Sequence, residues 1–370
     1  MSNNGTFYID SATELKAFCD ELLKDTWIGV DTEFMRERTY YSEPCLVQLS
    51  TDTGIACVDV LAIKDITPLK ELLCRQDIVK LMHSCSQDLE IFHLLFNAIP
   101  PNIFDTQVAA AFTGRGDQIS YAALVEDICR VTLHKAHTRA RWCNRPLSQD
   151  EIHYAEDDVR YLPALYEVLA EDLEKTGHRA WFDEEMQGLS NTSVHAINEK
   201  NAWQRINALK QMTGRPLAAA KALAGWRESR AQARNKPKSW ILADKVLIQI
   251  AYALPETLNE LAAIEGISEG FVKHQGQRVL SIVRDSADHN ESEQATRPGR
   301  PDAREKALKK ELAGILDKVA GSLNIPASIL ATRRDLTALI HGDSELPVLK
   351  GWRAEVVGNK LLKHLHDMNS

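Results

Sequence analysis

Two acidic residues two positions apart interrupt an otherwise apolar stretch near the start of the chain. Asp31 and Glu33 lie in Trp27–Phe34, which we predict to be a strand. Residues two apart project from the same face of a strand, so the two carboxylates would lie side by side. Paired carboxylates suit hard divalent cations such as Mg²⁺ or Mn²⁺, which prefer oxygen ligands. The alternative is an exposed strand end on which both acids are solvated.

Two later segments could contribute to the same acidic site. Asp88 follows the predicted strand Ile78–Met82 and would lie in the first turn of a helix, where an acid is often only a capping or helix-dipole residue. Tyr154 and Asp158 are four residues apart and would share one face of a helix. A surface hydrogen bond between the phenol and the carboxylate would explain that pair equally well. We expect the intervening Glu156 to be solvated.

The order of these residues resembles the tyrosine-containing branch of the DEDD 3′→5′ exonucleases, and ribonuclease D in particular. In that family Asp-x-Glu on the first central strand is followed by Asp at a strand-to-helix junction and by Tyr-x-x-x-Asp on a later helix. Four longer segments share the resemblance, which covers nearly the whole chain: Glu33–Leu49, His83–Phe92, Phe104–Ala111 and Leu133–Leu147.

The resemblance implies a metal-dependent 3′→5′ exoribonuclease in which Asp31, Glu33, Asp88, Tyr154 and Asp158 are catalytic. Asp31, Glu33 and Asp158 would hold one divalent ion, and Asp31 with Asp88 a second, either Mg²⁺ or Mn²⁺. Two such ions can activate a water molecule and stabilise the leaving 3′ oxygen. Tyr154 would orient that water, because a phenol with a reference pKa of about 10 is too weak a base to deprotonate it.

The pattern of apolar residues predicts two kinds of structure along the chain. Residues 1–100 alternate strands with helices and include a hairpin formed by Cys45–Ser50 and Ile55–Val60, which indicates a mixed sheet. With the resemblance, the fold class is an α/β ribonuclease H-like exonuclease domain followed by two small all-α domains. Beyond about residue 185 only helices are predicted, among them Tyr252–Ile264 and Val272–Val283.

We divide the chain accordingly into four parts. Residues 1–190 form the exonuclease domain, and 201–285 resemble the helicase-and-RNase-D C-terminal (HRDC) domain in the runs Leu223–Arg227 and Asp244–Leu247. Residues 286–302 read as a linker, since they have no aliphatic side chain larger than alanine. Residues 303–370 look like a degenerate second HRDC copy. We expect the part before residue 195 to fold without the rest.

Charge is distributed unevenly between the two halves. The net charge of −8 at first argues against a nucleic-acid partner, but residues 1–200 carry −15 and residues 201–370 carry +7. Residues 201–245 alone have ten basic and two acidic side chains. A basic region of this kind favours binding to nucleic-acid phosphates, and a solvated helical face is the alternative.

A second basic cluster precedes the predicted Tyr154 helix. It consists of Lys135, Arg139, Arg141 and Arg145, which could hold substrate phosphates, and we add Phe34, next to Glu33, as a candidate substrate contact. Solvated loop charges are the alternative.

Three functions compete on this sequence. The first is an exoribonuclease that trims tRNA precursors and other small RNAs from their 3′ ends, and this is what the ribonuclease D resemblance implies. The second is a DNA exonuclease of the proofreading or Werner type, and the third is a non-catalytic nucleic-acid-binding protein. The intact set of five catalytic residues argues against the third. The chain contains no G-x-x-x-x-G-K-[ST] motif for a helicase motor, which favours RNA over the Werner-type function.

The remaining composition predicts a cytoplasmic protein that binds no membrane, with a monomer favoured. No apolar run approaches the ~18–20 residues of a membrane span, and no secretory signal is recognisable. The seven cysteines include no C-x-x-C pair, so neither a disulfide framework nor a zinc ribbon is indicated.

Overall fold

The computed structural model describes residues 5–133, 140–189, 199–286 and 302–369. The strands are β1 (Gly5–Ile9), β2 (Trp27–Met35), β3 (Glu43–Ser50), β4 (Gly54–Val58), β5 (Val79–Met82) and β6 (Ile103–Asp105). The helices among and after them are α1 (Ala12–Leu22), α2 (Thr67–Leu73), α3 (Ser86–Phe96), α4 (Thr106–Phe112), α5 (Tyr121–Cys129), α6 (Gln149–Arg160), α7 (Leu162–Thr176) and α8 (Arg179–Leu189).

The six strands form one mixed sheet in the order β1-β4-β3-β2-β5-β6. β3 and β4 pair antiparallel, as the hairpin prediction requires, whereas β1 pairs with β4 and β5 with β2 and β6 in parallel. β2 occupies the interior of the sheet between β3 and β5. The α/β class expected for this part of the chain is therefore confirmed. β2 has a neighbouring strand on each of its two edges.

The later helices begin after two 3₁₀ segments, Glu199–Arg205 and Asn207–Gln211. They are α9 (Gly214–Arg234), α10 (Lys238–Ile241), α11 (Asp244–Ala253), α12 (Leu258–Ala262), α13 (Glu269–Asp285), α14 (Ala303–Leu323), α15 (Ala327–Leu330), α16 (Arg333–Ile340), α17 (Gly351–Arg353) and α18 (Asn359–Asn369), with a 3₁₀ turn at Pro347–Leu349 and a π-helical turn at Ala354–Gly358. Within the described residues, none of these helices is long and apolar enough to cross a membrane.

One predicted helix is wrong in its extent. The stretch 252–264 is divided, because Leu254 adopts a left-handed conformation with φ of 48° and ends α11, and Pro255 follows it. Chain contacts divide the protein into two compact units. The first comprises residues 1–35, 44–195 and 301–370, and the second comprises residues 36–43 and 196–300.

The last helices share the hydrophobic core of the exonuclease domain. Trp352 is 4% exposed, and its ring stacks on Trp181 of α8 at 5.0 Å between centroids. Its indole Nε1 donates to Glu185 at 2.8 Å, and its other face meets Phe112 of α4. Removing residues 302–370 would uncover these aromatic rings, so the expectation that residues 1–195 fold alone is not supported by this packing.

The second unit has its own core, in which Leu217 and Leu223 of α9 pack with Leu247 and Ile250 of α11 and with Val279 of α13. The chain between β2 and β3, residues 36–43, packs in this unit too. The predicted linker falls mostly on residues 287–301, which lie outside the described residues.

Candidate active site

The first pair of acids lies where the sequence placed it, on β2. Ile28 and Val30 are fully or almost fully buried and anchor the strand in the core, and Asp31 and Glu33 follow in the same strand. β2 lies between β3 and β5, and its pairing with β5 covers Trp27–Gly29, so both acids follow just after that paired part of the strand.

Helix α6 brings a third carboxylate to the pair. The helix begins at a capping box in which the Ser148 hydroxyl accepts from Glu151 N and the Glu151 carboxylate accepts from Ser148 N. Its buried face includes Ala155 and Val159, and this places Asp158 beside β2. Ligand oxygens of Asp31, Glu33 and Asp158 all lie within 4.8 Å of one another.

Asp88 completes the set from a different direction. It lies in the first turn of α3, as predicted, and is only 7% exposed. The Thr32 hydroxyl, on β2 between the two acids, donates to Asp88 at 2.5 Å. Burial raises the pKa of Asp88 to about 7. Asp88 lies close enough to Asp31 to raise its pKa, although it is not one of the three acids within 4.8 Å of one another.

The pKa values of the clustered acids indicate that the site is suited to a cation. Burial, and then the neighbouring acids Asp88, Asp158 and Glu33, raise the pKa of Asp31 well above its usual value. Burial also raises the pKa of Glu33 to about 9 and that of Asp158 to about 7. No lysine or arginine is among the main influences on these four groups in the described part of the chain.

Carboxylates that are partly or fully buried this close together cannot all ionise without compensation by protons or by a cation. The set offers only oxygen ligands, which suits Mg²⁺ or Mn²⁺ better than the softer transition metals. The residues present therefore fit a divalent-metal site.

Tyr154 shares the inner face of α6 with Asp158, as the four-residue spacing predicted. Its hydroxyl hydrogen-bonds to the Asp158 carboxylate, and its ring packs near Trp142 at 6.0 Å between centroids. Burial, followed by Asp158 and Glu33, raises the pKa of Tyr154 above its usual value. A phenol whose pKa is raised is an even weaker acid and keeps its proton, so it serves to donate and accept hydrogen bonds.

The candidate substrate residues have different environments. Phe34 is half-buried directly after Glu33, and Arg141 is exposed. Lys135 and Arg139 lie outside the described residues. Arg145 is a correction: all five of its N–H groups are used within the protein, so none is left for a substrate phosphate. They bind both oxygens of Asp59 and the backbone carbonyls of Cys45, Trp142 and Asn144.

The same ion pair explains how the segment before α6 is fixed. Arg145 ties the chain near Trp142 to Asp59 at the end of β4, at 2.5 and 2.8 Å. Glu156 is a second correction, since it is 4% exposed and bonds to Arg160 at 2.8 Å instead of being solvated.

Sequence reasoning missed two residues that support the site. Asp105, at the end of β6, accepts from Ser84 N at 3.0 Å and Cys85 N at 2.8 Å, and so fixes the turn that leads into α3 and Asp88. Tyr121 is buried near Asp158 and Asp31, and its hydroxyl accepts from Tyr161 N at 3.2 Å. Asp105 belongs to a segment that resembles the family, but its spacing gave no sign of the turn it holds.

Comparison with known proteins identifies the same two kinds of domain. A family model described as 3′-5′ exonuclease matches residues 6–174, and a model of the HRDC domain matches residues 217–283. The expected second HRDC copy over 303–370 stays a prediction.

Curated relatives and solved structures agree with these matches. Ribonuclease D of Acidiphilium cryptum is 37% identical over 96% of this chain and 92% of its own length, and that of Granulibacter bethesdensis is 36% identical over 96% and 91%. The crystal structure of Escherichia coli RNase D, described as an exoribonuclease involved in structured RNA processing, superposes with a TM-score of 0.86 at 28% identity and covers 98% of this chain and 99% of that one. The chain described here belongs to the ribonuclease D family.

Proposed function

We propose that this chain, a metal-dependent 3′→5′ exoribonuclease of the ribonuclease D family, trims the 3′ ends of tRNA precursors and other small RNAs and releases nucleoside 5′-monophosphates. The observation that carries the proposal is the cluster of Asp31, Glu33 and Asp158. Their oxygens lie within 4.8 Å of one another, and no lysine or arginine of the described residues is among their main electrostatic neighbours. The relation to E. coli RNase D, which acts in structured RNA processing, supports the choice of substrate.

The number of ions is part of the proposal. Asp31, Glu33 and Asp158 would hold one ion, and Asp31 with Asp88 a second. When bound, divalent ions would lower the pKa of a water molecule and neutralise charge on the leaving 3′ oxygen. Asp88 would approach its ion with one oxygen, since the other already accepts from Thr32.

Tyr154 would position the attacking water. Its hydroxyl hydrogen-bonds to Asp158, and a phenol oxygen can accept a hydrogen bond from water while its proton is donated elsewhere. Such a hydrogen bond would restrict the orientation of the water during its attack on the phosphorus. Burial and the neighbouring acids raise the pKa of Tyr154, so we assign its protonated hydroxyl the role of orienting the water and not that of the base.

Contacts with the substrate would come from residues around the acids. Phe34 follows Glu33 on β2 and could stack on the terminal base, while the exposed Arg141 could bind a phosphate. Lys135 and Arg139 are proposed for the same role from the sequence alone.

A DNA exonuclease remains the second candidate by chemistry, because the same carboxylates would serve either sugar. The relatives that match over almost the whole chain are ribonucleases, and they do not favour it.

The test compares substrates and metals in one assay. An end-labelled tRNA precursor and a single-stranded DNA of matched length and 3′ sequence are incubated with the protein in Mg²⁺, in Mn²⁺ and in EDTA. We expect stepwise shortening of the RNA from its 3′ end with either metal, none in EDTA, and slower shortening of the DNA. Equal or faster degradation of the DNA would contradict the proposed substrate, and degradation in EDTA would contradict the metal requirement.

A further inference from the structure

A pocket of about 450 Å³ lies within the second unit, on residues that the proposed chemistry does not use. Four basic and two acidic side chains contribute to its wall. The basic residues are Arg36, Arg205, Arg227 and Lys238, and the acidic residues are Glu37 and Asp244. The pocket thus has an excess of positive charge although the chain as a whole is acidic.

The wall formed by residues 36–43 is held in place by a buried hydrogen-bond network. The Tyr40 hydroxyl, in a residue that is 2% exposed, donates to Glu228 of α9 at 2.5 Å and accepts from Gln232 at 3.2 Å. Asn235, which ends α9, accepts from Tyr40 N and Tyr41 N at 3.0 Å each. The segment that carries Arg36 is therefore fixed at Tyr40 and Tyr41, which reduces the backbone entropy lost when a ligand binds.

Arg227 forms the floor of the pocket. It is 4% exposed, and its guanidinium donates to Leu242 O at 2.9 Å and to Asp244 at 2.5 Å. Its Nε is buried and has no hydrogen-bond partner among the described residues. Because this Nε is enclosed by protein, Arg227 contributes its positive charge to the pocket and not a hydrogen bond from Nε.

The other cations differ in how far the protein already compensates them. Lys238 pairs with the buried Glu228 at 3.4 Å. Arg36 and Arg205 are exposed, and neither has an ion-pair or hydrogen-bond partner within the residues that the structure describes. We call the exposed Arg36 and Arg205 the rim of the pocket; their two guanidinium groups, in a pocket that Arg227 also lines, match the several oxygens of a phosphate.

We propose that this pocket binds one backbone phosphate of the RNA strand. The inference rests on RNA being the substrate, as proposed above, and extends it by naming residues outside the catalytic cluster. Phosphate groups of a free nucleoside monophosphate, the expected product, share this chemistry. A pocket with guanidinium groups on an exposed rim favours a strand passing over it, and the test separates the two sources.

The experiment uses the full-length protein in EDTA, so that RNA is bound and not hydrolysed. Arg36→Gln with Arg205→Gln removes the two free rim charges. Arg38→Gln with Arg234→Gln is the matched control, since it removes two exposed arginines of the same segment and of α9 that do not line the pocket. Binding of a labelled hairpin RNA with a single-stranded 3′ tail is measured over a range of KCl concentrations.

We expect the pocket pair to lower RNA affinity by about 10-fold and to reduce the slope of log affinity against log salt by a little under ~1, as for the loss of one phosphate contact. The control pair should change affinity no more than about twofold. Equal losses in both pairs, or no loss in the pocket pair, would overturn the proposal. Saturable binding of AMP that the pocket pair abolishes while RNA binding is unchanged would overturn it too, in favour of the product. Because no metal is present, each of these results is independent of the hydrolysis assay for the proposed function.

Discussion

The acidic cluster of the first unit and the basic pocket of the second differ in how their like charges are compensated. In the cluster, oxygens of Asp31, Glu33 and Asp158 lie within 4.8 Å on the interior strand and its neighbouring helix, and the burial of these groups raises every one of their pKa values. In the pocket, Arg227 and Lys238 have carboxylate partners, and the unpaired cations are exposed.

The difference indicates which site depends on its ligand. Water screens the exposed cations of the pocket, so the second unit is stable whether or not a phosphate is bound. Solvent does not screen the clustered carboxylates in this way, so they must be protonated or bind a cation. The first site is therefore built around an ion, whereas occupancy of the second is optional.

Removing a single carboxylate should have the largest effect on activity. Asp31→Asn or Asp158→Asn should lower kcat by about 10³-fold, since each takes away charge that holds the metal ions, worth several kcal/mol in the transition state. RNA affinity in EDTA should stay near that of the wild type. The control is Asp150→Asn, an exposed acid in the first turn of the same helix, which should keep its activity.

Turnover of the Asp31 or Asp158 variants close to the wild-type rate would show that the cluster is not the catalytic site. The comparison would then lose its functional meaning, although the electrostatic difference would remain.

Trp352→Ala should have the next largest effect. It should lower the free energy of unfolding by about 3–5 kcal/mol, because it empties a buried site between Trp181 and Phe112. Trp240→Ala is the matched control in the second unit. That ring is 57% exposed, and its loss should change stability by no more than about 0.5 kcal/mol. Chemical denaturation of the two variants measures both values.

If Trp352→Ala lowers the free energy of unfolding by no more than Trp240→Ala does, the last helices do not stabilise the rest of the first unit. The expectation of an exonuclease domain that folds alone would then be restored.

Tyr154→Phe should reduce kcat by roughly 10²-fold with little change in KM, as expected for a group that acts on the attacking water. Metal affinity should be close to that of the wild type, since the proposed ligands are all carboxylates and the hydroxyl hydrogen-bonds to one of them, Asp158. Isothermal titration with Mn²⁺ tests this second point. A large drop in Mn²⁺ affinity would make Tyr154 a support of the metal site in place of a water-positioning residue.

The smallest effect expected is one of stability, and its sign should depend on metal. In EDTA at neutral pH, Glu33 must take up a proton when the protein folds, because burial and the neighbouring acids raise its pKa to about 9. Glu33→Gln removes that cost, so the melting temperature should rise by a few degrees, given that about 1 kcal/mol corresponds to roughly 2–4 °C in a domain of this size. In saturating Mg²⁺ the wild type gains more from the ion, and the variant should melt at the lower temperature of the two.

Arg38→Gln should show no such reversal, because that exposed cation lies outside the acidic cluster. A Glu33 variant that melts below the wild type in both conditions would indicate that the carboxylates are not under mutual repulsion.

Local spacing accounts for what the sequence could predict about the site. Asp31 and Glu33 on β2, Asp88 in the first turn of α3, and Tyr154 with Asp158 on α6 all lie on the predicted elements. Periods of two in a strand and of about 3.6 in a helix are properties of the backbone, so they fix which side chains share a face without reference to the rest of the fold.

Assigning the helical half was partly possible for the same reason. The HRDC resemblance in residues 201–285 is confirmed by the match over 217–283, and Val272–Val283 lies within α13. The division of 252–264 was missed although Pro255 signals it, since a proline has no N–H to donate and disfavours helical conformation at the preceding residue.

Only the tertiary structure decided how the charged and aromatic residues are used. Arg145 and Asp59 are 86 positions apart in sequence, yet their pairing takes Arg145 out of the expected phosphate-binding set. The packing of Trp352 on Trp181 made the last helices part of the first unit's core, and the Tyr40–Glu228 hydrogen bond built the basic pocket. Such partners are selected by the free energy of burying and satisfying whole surfaces, a property of the packed chain that residue spacing does not encode.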